Sequence, residues 1–164
     1  VVIPLLFFTR NSYPLTTLLY VLIFVHALVL ILGGAYTYAR VPIGFTLQDL
    51  FGFERNPYDR IGHFLQCFVP AIAVREILVR GNYVRTPAMR NFITVCIVLA
   101  ISATYEFVEW GAAIAFGQGA HEFLGTQGDP WDTQWDMFMA VIGAVTALLL
   151  LSRLHDRQLS RLRH

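Results

Sequence analysis

The chain has no lysine, so all twelve of its basic residues are arginine, which reads as base composition rather than chemistry. Charge of either sign is scarce, at 14% of 164 residues, where a soluble domain carries about 25%. With 56% hydrophobic residues and a mean hydropathy of +0.56, that shortage excludes an ordinary water-soluble globule. A net charge of +1 and the want of a basic patch interleaved with aromatics exclude nucleic acid as a partner. Cysteine is nearly absent. Cys67 and Cys96 stand singly in apolar runs, without the spacing of a disulfide or a thiolate metal site, and read as small core residues.

What the chain does have is long apolar runs. Four are of membrane length: Leu15 to Tyr38, Gly62 to Val79, Asn91 to Phe116 and Asp136 to Leu154. A helix needs about 20 such residues to cross the hydrocarbon core, whereas a barrel strand needs about 9–11 in alternation. The reading is therefore all-α: a polytopic transmembrane helix bundle of four spans, forming one domain over residues 1–164. Val1 to Phe8 is apolar but too short to span, and lacks the charged start of a signal peptide. It reads as the tail of a longer helix or as an interfacial segment.

Arginine placement orients the bundle. Arg10 precedes the first span, Arg80, Arg85 and Arg90 fill the second loop, and Arg153, Arg157, Arg161 and Arg163 crowd the tail. The loop from Gly117 to Gln134 has no basic residue and carries Glu122, Asp129 and Asp132. The Ala39 to Ile61 loop is mixed, with Arg40, Arg55 and Arg60 against Asp49, Glu54 and Asp59. The positive-inside rule then predicts cytoplasmic termini and an outward-facing acidic side. Trp110, Trp131, Trp135, Tyr36 and Tyr38 fall near the outer ends, where amphipathic rings prefer to sit.

Ionisable residues within a span cost about 2.5–3.5 kcal/mol each at the helix centre and are functional by default. Here they come in pairs at one depth. Asp59 and His63 are four apart at the start of the second span, and Glu106 and Glu109 are three apart in the outer half of the third. Asp132 and Asp136 are four apart entering the fourth, after the turn Gly128-Asp129-Pro130-Trp131. Same-face carboxylate and histidine pairs on neighbouring helices are how bundle cores build metal sites.

Plainer readings stand beside this one. Asp132 could cap the fourth helix, Asp129 could order its turn, and Glu106 could be a hydrogen-bonded core carboxyl or a partner of Arg60. Arg75 and Glu76 read as an interfacial pair on the opposite side. His26, mid-span ahead of Gly33 and Gly34, reads as a core residue rather than a ligand. His121 beside Glu122 could be a secondary ligand, and His155 and His164 belong to the basic tail.

Four stretches carry a family resemblance: Gly34 to Ala39, Arg55 to Phe64, Tyr105 to Trp110, and the long run Phe123 to Met137. Together they resemble the YjdF-like family of bacterial inner-membrane proteins, over about His26 to Gly143. That family has no assigned activity, so the likeness implies an inner-membrane location and a topology, with further hydrophobic sequence upstream. A shorter likeness, in the order His, then Glu, then two Asp four apart, is similar to VanZ-like membrane proteins and supports an outward-facing polar pocket.

The expectation is a metal-dependent, membrane-embedded hydrolase acting on a lipid or lipid-linked substrate, with membrane lipids as its partners. His63, Glu106, Asp132 and Asp136 are the expected ligands of a divalent ion, Zn²⁺, Mn²⁺, Mg²⁺ or iron. Glu109 or Asp59 would act as base, or as the carboxylate that orients His63. The pocket is expected to reach the outer leaflet between Trp110, Trp131 and Trp135, with the other half packed shut around Ile72 to Val79 and Ala144 to Leu151. The competing expectation is a cation or proton-coupled carrier using the same acids, with His26 continuing the path inward.

Overall fold

The computed structural model describes residues 2–116 and 127–162, and every regular element among them is helical. A short helix α1 (Val2–Thr9) is followed by α2 (Thr17–Ala35), α3 (Pro42–Phe51), α4 (Tyr58–Arg80), α5 (Pro87–Phe116) and α6 (Asp132–Leu162). Four of these, α2, α4, α5 and α6, are long and apolar enough to cross a membrane.

The four expected spans are present, and three of them run further than their apolar cores. α4 begins at Tyr58 and α6 at Asp132. Charged first turns extend a helix beyond the hydrocarbon, so a hydropathy reading stops short of them. At 31 residues α6 is about 46 Å long, well beyond the ~30 Å hydrocarbon core. The consequence is local: Asp59, His63, Asp132 and Asp136 all ride on the first two turns of regular helices, which fixes their directions.

The helix α3 was not expected, although its signals are in the sequence. Pro42 opens it at a position where the missing N–H costs nothing, and Gly52 closes it in the left-handed conformation, φ 67°. The buried Asn56 ties the following loop together. Its Nδ2 donates to the Val41 carbonyl (3.0 Å), its Oδ1 accepts from the Tyr58 amide (3.0 Å), and its backbone exchanges bonds of 3.1 and 3.0 Å with the Gln127 amide group. The α3–α4 loop is thereby pinned to the turn before α6.

Helix α4 is the hub, packing most closely on α6, then on α5 and α2. Small residues make the closest approach possible: Ala140, Ala144 and Ala147 are fully buried against the α4 side carrying Cys67, Ala71 and Ile72. At Gly143 a Cβ would run into the Phe64 carbonyl of α4, so only glycine fits that crossing. Ile72 and Ala144 lie in the half expected to be shut, and both are fully buried. Cys67 is buried, whereas Cys96 is exposed on α5 rather than a core residue, because its position on the helix faces away from α4 and α6.

The end of the bundle away from the acidic pairs is locked by a network that differs from the expected pairing of Arg75 with Glu76. Neighbours in a helix point in different directions, and each of these finds its own partners. Glu76, with no exposed surface, accepts from the Thr16 hydroxyl (2.8 Å), Arg80 (3.1 Å) and His155 Nε2 (3.0 Å). Arg75 contacts His155 Nδ1 at 3.0 Å and Asp156 at 2.7 Å. A guanidinium can only donate, so Nδ1 accepts and the Nε2–H of His155 donates to Glu76. His155 is thus a fully buried tie between α4 and α6, not part of an exposed tail.

Candidate metal centre

At the other end three helices aim acidic side chains at one imidazole. Asp59 and His63 sit one turn apart on α4, Glu106 and Glu109 on the far half of α5, and Asp136 one turn into α6. His63 is 4% exposed, Asp59 5%, Glu106 8% and Asp136 1%. The His63 ring has a different neighbour on each nitrogen. Nε2 lies 3.7 Å from Asp59 Oδ1 and 3.7 Å from Asp136 Oδ2, while Nδ1 lies 3.7 Å from Glu106 Oε1.

These separations are too long for hydrogen bonds, and that is the informative point. Asp59 Oδ2, His63 Nδ1, Glu106 Oε1 and Asp136 Oδ1 are all buried without a hydrogen-bond partner among the described residues. A buried polar group left unpaired costs about 1–3 kcal/mol, and more if charged. Three such carboxylate oxygens, with one nitrogen of the ring they surround, describe a place able to hold something positive.

Two ligand sets follow, and they share His63. The donor atoms of Asp59, His63 and Asp136 lie within 4.8 Å of one another, as do those of His63, Glu106 and Glu109. Two donors each ~2.1 Å from an ion with tetrahedral angles are about 3.4 Å apart. The observed 3.7 Å is wider by only ~0.3 Å, within reach of small side-chain shifts. An imidazole can bind an ion through one nitrogen while the other donates to a carboxylate, so either set fits with the other in support.

Arg55 bounds the group on its loop side. It bonds Asp132 at 2.5 Å and lies 3.5 Å from Asp129 and 3.8 Å from Asp59. Asp132 was expected among the ligands, but its carboxylate is turned to Arg55 and it stands outside both donor sets. The reason is geometric: Asp132 lies one turn nearer the loop than Asp136, level with Arg55, itself one turn before Asp59. Asp59, expected as base or as the carboxylate that orients His63, stands beside Nε2. Glu106 lies on the Nδ1 side, away from Asp59 and Asp136. His121, with residues 117–126, lies outside the described residues.

A cavity of about 200 Å³ opens beside this group, between α2, α4 and α5. His63, Asp59 and Glu109 line it, with Gln66, Tyr105, Thr37, Tyr38 and His26. His26 Nε2 is buried without a partner, so the histidine read as a core residue faces the same polar space. The edge of the His63 ring meets Tyr105, with centroids 6.0 Å apart. The expected tryptophan boundary is absent from this cavity. Trp110 and Trp131 are exposed, and Trp135 lies under the Arg60 guanidinium at 5.2 Å.

A second, larger cavity of about 990 Å³ lies on the other side of Arg55. The end of α3, Arg60, the turn Gln127–Pro130 and Met139 line it. Its arginines are engaged by acids, Arg60 by Asp129 at 2.9 Å. Arg60, weighed from sequence as a partner of Glu106, pairs with Asp129 instead, and Arg55 was read only as part of a mixed loop, although it stands four residues before Asp59, the spacing of a helical ion pair.

Comparison with known proteins agrees with the motifs. Residues 1–157 match the family described as Predicted membrane protein (DUF2238). The chain is 59% identical over 161 residues to Inner membrane protein YjdF of Escherichia coli (strain K12), an alignment covering 98% of this chain and 77% of that protein. The resemblance to YjdF-like proteins is thereby borne out. No solved structure matches the chain.

Proposed function

We propose that this chain, which belongs to the DUF2238 family of membrane proteins, holds a divalent cation between Asp59, His63 and Asp136 and hydrolyses a lipid-borne substrate. The observation that carries the reading is a buried set of three donors standing beside a cavity. A closed structural site uses all its coordination positions, whereas a catalytic one leaves one open towards substrate and water. An ion here would polarise the bond under attack and lower the pKa of water.

The chain's own residues take the remaining roles. His63 would hold the ion through Nε2, leaving its Nδ1 to face Glu106, 3.7 Å away, and a bond closed across that gap would set the ring's direction and raise its basicity. Glu109 lines the cavity and serves as the base. The Arg55–Asp132 pair holds the loop side of Asp59 in place. The O₂N donor set suits Zn²⁺, Mn²⁺, Mg²⁺ or iron, and Cys67, which donates to the Val98 carbonyl at 3.1 Å, is turned elsewhere. The arginine asymmetry orients this end towards the outside of a bacterial inner membrane, with the termini cytoplasmic.

A second reading, a cation or proton-coupled carrier, is favoured by one observation: the cavity continues from His63 to His26 on α2. Against it stands the opposite half, where Ile72, Glu76, Ala147 and His155 are fully buried and offer no continuing path. The test is element-resolved metal analysis of the purified protein, with turnover of candidate lipids and ion flux measured in proteoliposomes. Metal-dependent turnover lost in Asp136→Asn, without flux, supports the hydrolase. Flux abolished by His26→Ala, without turnover of any lipid, overturns it in favour of the carrier.

A further inference from the structure

One buried hydroxyl close to the acidic group stands without the partner that helical hydroxyls usually take. Ser102 lies on α5 with no exposed surface, and its Oγ has no hydrogen-bond partner among the described residues. A serine or threonine inside a helix commonly donates to the carbonyl four residues back. Thr94 does so to Arg90 at 2.8 Å, and Thr104 to Ala100 at 2.7 Å. For Ser102 that acceptor is the Val98 carbonyl, and it is already engaged. A carbonyl oxygen has two lone pairs. The helix ladder takes one, and Cys67, fully buried on α4, donates its thiol to the other at 3.1 Å.

The position of Ser102 names its next acceptor. Ser102, Glu106 and Glu109 follow at i, i+4 and i+7, along one face of α5. Helical side chains lean towards the N-terminus, so the Glu106 side chain reaches back over the turn that carries Ser102. Glu106 Oε1 is itself buried without a hydrogen-bond partner among the described residues, 3.7 Å from His63 Nδ1. His63 Nδ1, Glu106 Oε1 and Ser102 Oγ are thus three unpartnered buried atoms in succession, leading from α4 down α5. A carboxylate is the strongest acceptor that a hydroxyl there can find.

We infer that Ser102 is a positioning residue of the metal centre: its hydroxyl donates to the Glu106 carboxylate, directly or across one water, and so fixes the group that orients His63. Cys67 completes the arrangement, because it occupies the Val98 carbonyl that would otherwise draw the Ser102 hydroxyl away. This rests on a cation held at His63 Nε2, and not on the hydrolysis proposed there. The thiol one turn beyond His63 on α4 thereby acts on the ion without touching it.

The test is Mn²⁺ titration of the whole chain purified in detergent, with variants on both helices. Losing the partner of a metal-bound histidine weakens metal about 10–100-fold, and Ser102 acts one bond further out, so Ser102→Ala should weaken Mn²⁺ about three- to tenfold. With Glu106→Ala already present, Ser102→Ala should change the affinity by less than about twofold, since it acts only through that carboxylate. Cys67→Ala frees the Val98 carbonyl and should weaken Mn²⁺ by a similar ~3–10-fold, whereas Cys67→Ser can still donate to that carbonyl and should restore the affinity. Thr104→Ala, which removes a hydroxyl bonded to Ala100 on the exposed side of α5, should leave it unchanged. Ion-free Ser102→Ala loses no bond and should melt with the parent, which separates positioning from folding. Unchanged affinity in Ser102→Ala or in Cys67→Ala, or an equal loss with and without Glu106, overturns the inference while bound Mn²⁺ leaves the metal reading intact. An unaltered chain that binds no Mn²⁺ overturns the metal reading, and this inference with it.

Discussion

Exchanging the acids around His63 one at a time separates a metal site from a structural polar network. Asp59 and Asp136 stand on the Nε2 side and Glu106 on the Nδ1 side, each 3.7 Å away. Spreading the ~10–16 kcal/mol of a four-ligand zinc site over its donors gives about 3 kcal/mol per donor. Asp136→Asn or Asp59→Asn should therefore weaken the ion more than ~100-fold. Glu106→Gln touches only the orienting contact and should weaken it about 10–100-fold. In a thermal melt with Mn²⁺ at 100 times the parent dissociation constant, the parent gains about 2.7 kcal/mol. A 100-fold weaker variant gains only ~0.4, and a tenfold weaker one ~1.4. The ion-free proteins carry a second sign. Asn replaces one of several crowded carboxyls with a neutral group of the same shape and breaks no hydrogen bond at Oδ1, so Asp136→Asn without metal should melt at or above the parent temperature. A structural network would lose a partner and melt lower. Should Glu106→Gln and Glu109→Gln abolish the Mn²⁺ response while Asp59→Asn and Asp136→Asn keep it, the ion belongs on Nδ1 and the assignment is refuted.

Topology can be read with cysteine probes in a Cys96→Ser background: a membrane-impermeant maleimide added outside cells should label Glu54→Cys and miss Arg85→Cys. The reverse pattern would turn the acidic end to the cytoplasm. Gly143→Ala forces a methyl against the Phe64 carbonyl, and should lower stability by about 1–3 kcal/mol in a denaturation series. No loss would mean that α4 and α6 cross further apart than described. His155→Ala removes one hydrogen-bond partner each from the buried Arg75 and Glu76, so about 1–3 kcal/mol of stability should go, with Mn²⁺ affinity unchanged. A matching fall in Mn²⁺ affinity would show the two ends to be coupled.

The spans were legible because hydrocarbon allows few alternatives. A charge-free run such as Thr17–Ala35 has to bond its own backbone, and a helix is the way a single segment can. Helix α3 escaped notice for the complementary reason. Pro42–Phe51 is ten residues long and includes Asp49, so no hydropathy window of membrane length contains it. Its proline opening and glycine close were local signals that a span search passes over. The Glu76–His155 tie was illegible for another reason. Nothing in the spacing of two residues 79 apart says that α4 and α6 lie face to face. That depended on Ala140, Gly143, Ala144 and Ala147, small residues at helical spacing whose meaning as a contact stripe becomes definite only once the partner helix is known.

Residue spacing carried the site as far as depth and no further. Three pairs at one level were enough to bring Asp59, His63, Glu106 and Asp136 into one group, because one-turn spacing fixes direction within each helix. What spacing could not supply was rotation, the angle at which each helix presents its pair. That angle makes Asp132 the partner of Arg55 and gives the Nε2 side of His63 to Asp59. It also turns the cavity towards α2 and His26, away from the tryptophans at the helix ends. The division of labour around His63 therefore rests on how each helix is turned about its own axis. A single cross-link can check it. With Cys67 and Cys96 replaced by Ser, Glu106→Cys and Asp136→Cys should each accept a short bifunctional reagent anchored at His63→Cys, and Asp132→Cys should accept it poorly. Equal capture at 132 and 136 would mean that α6 is rotated from the orientation described, and that Asp132 returns to the ligand set.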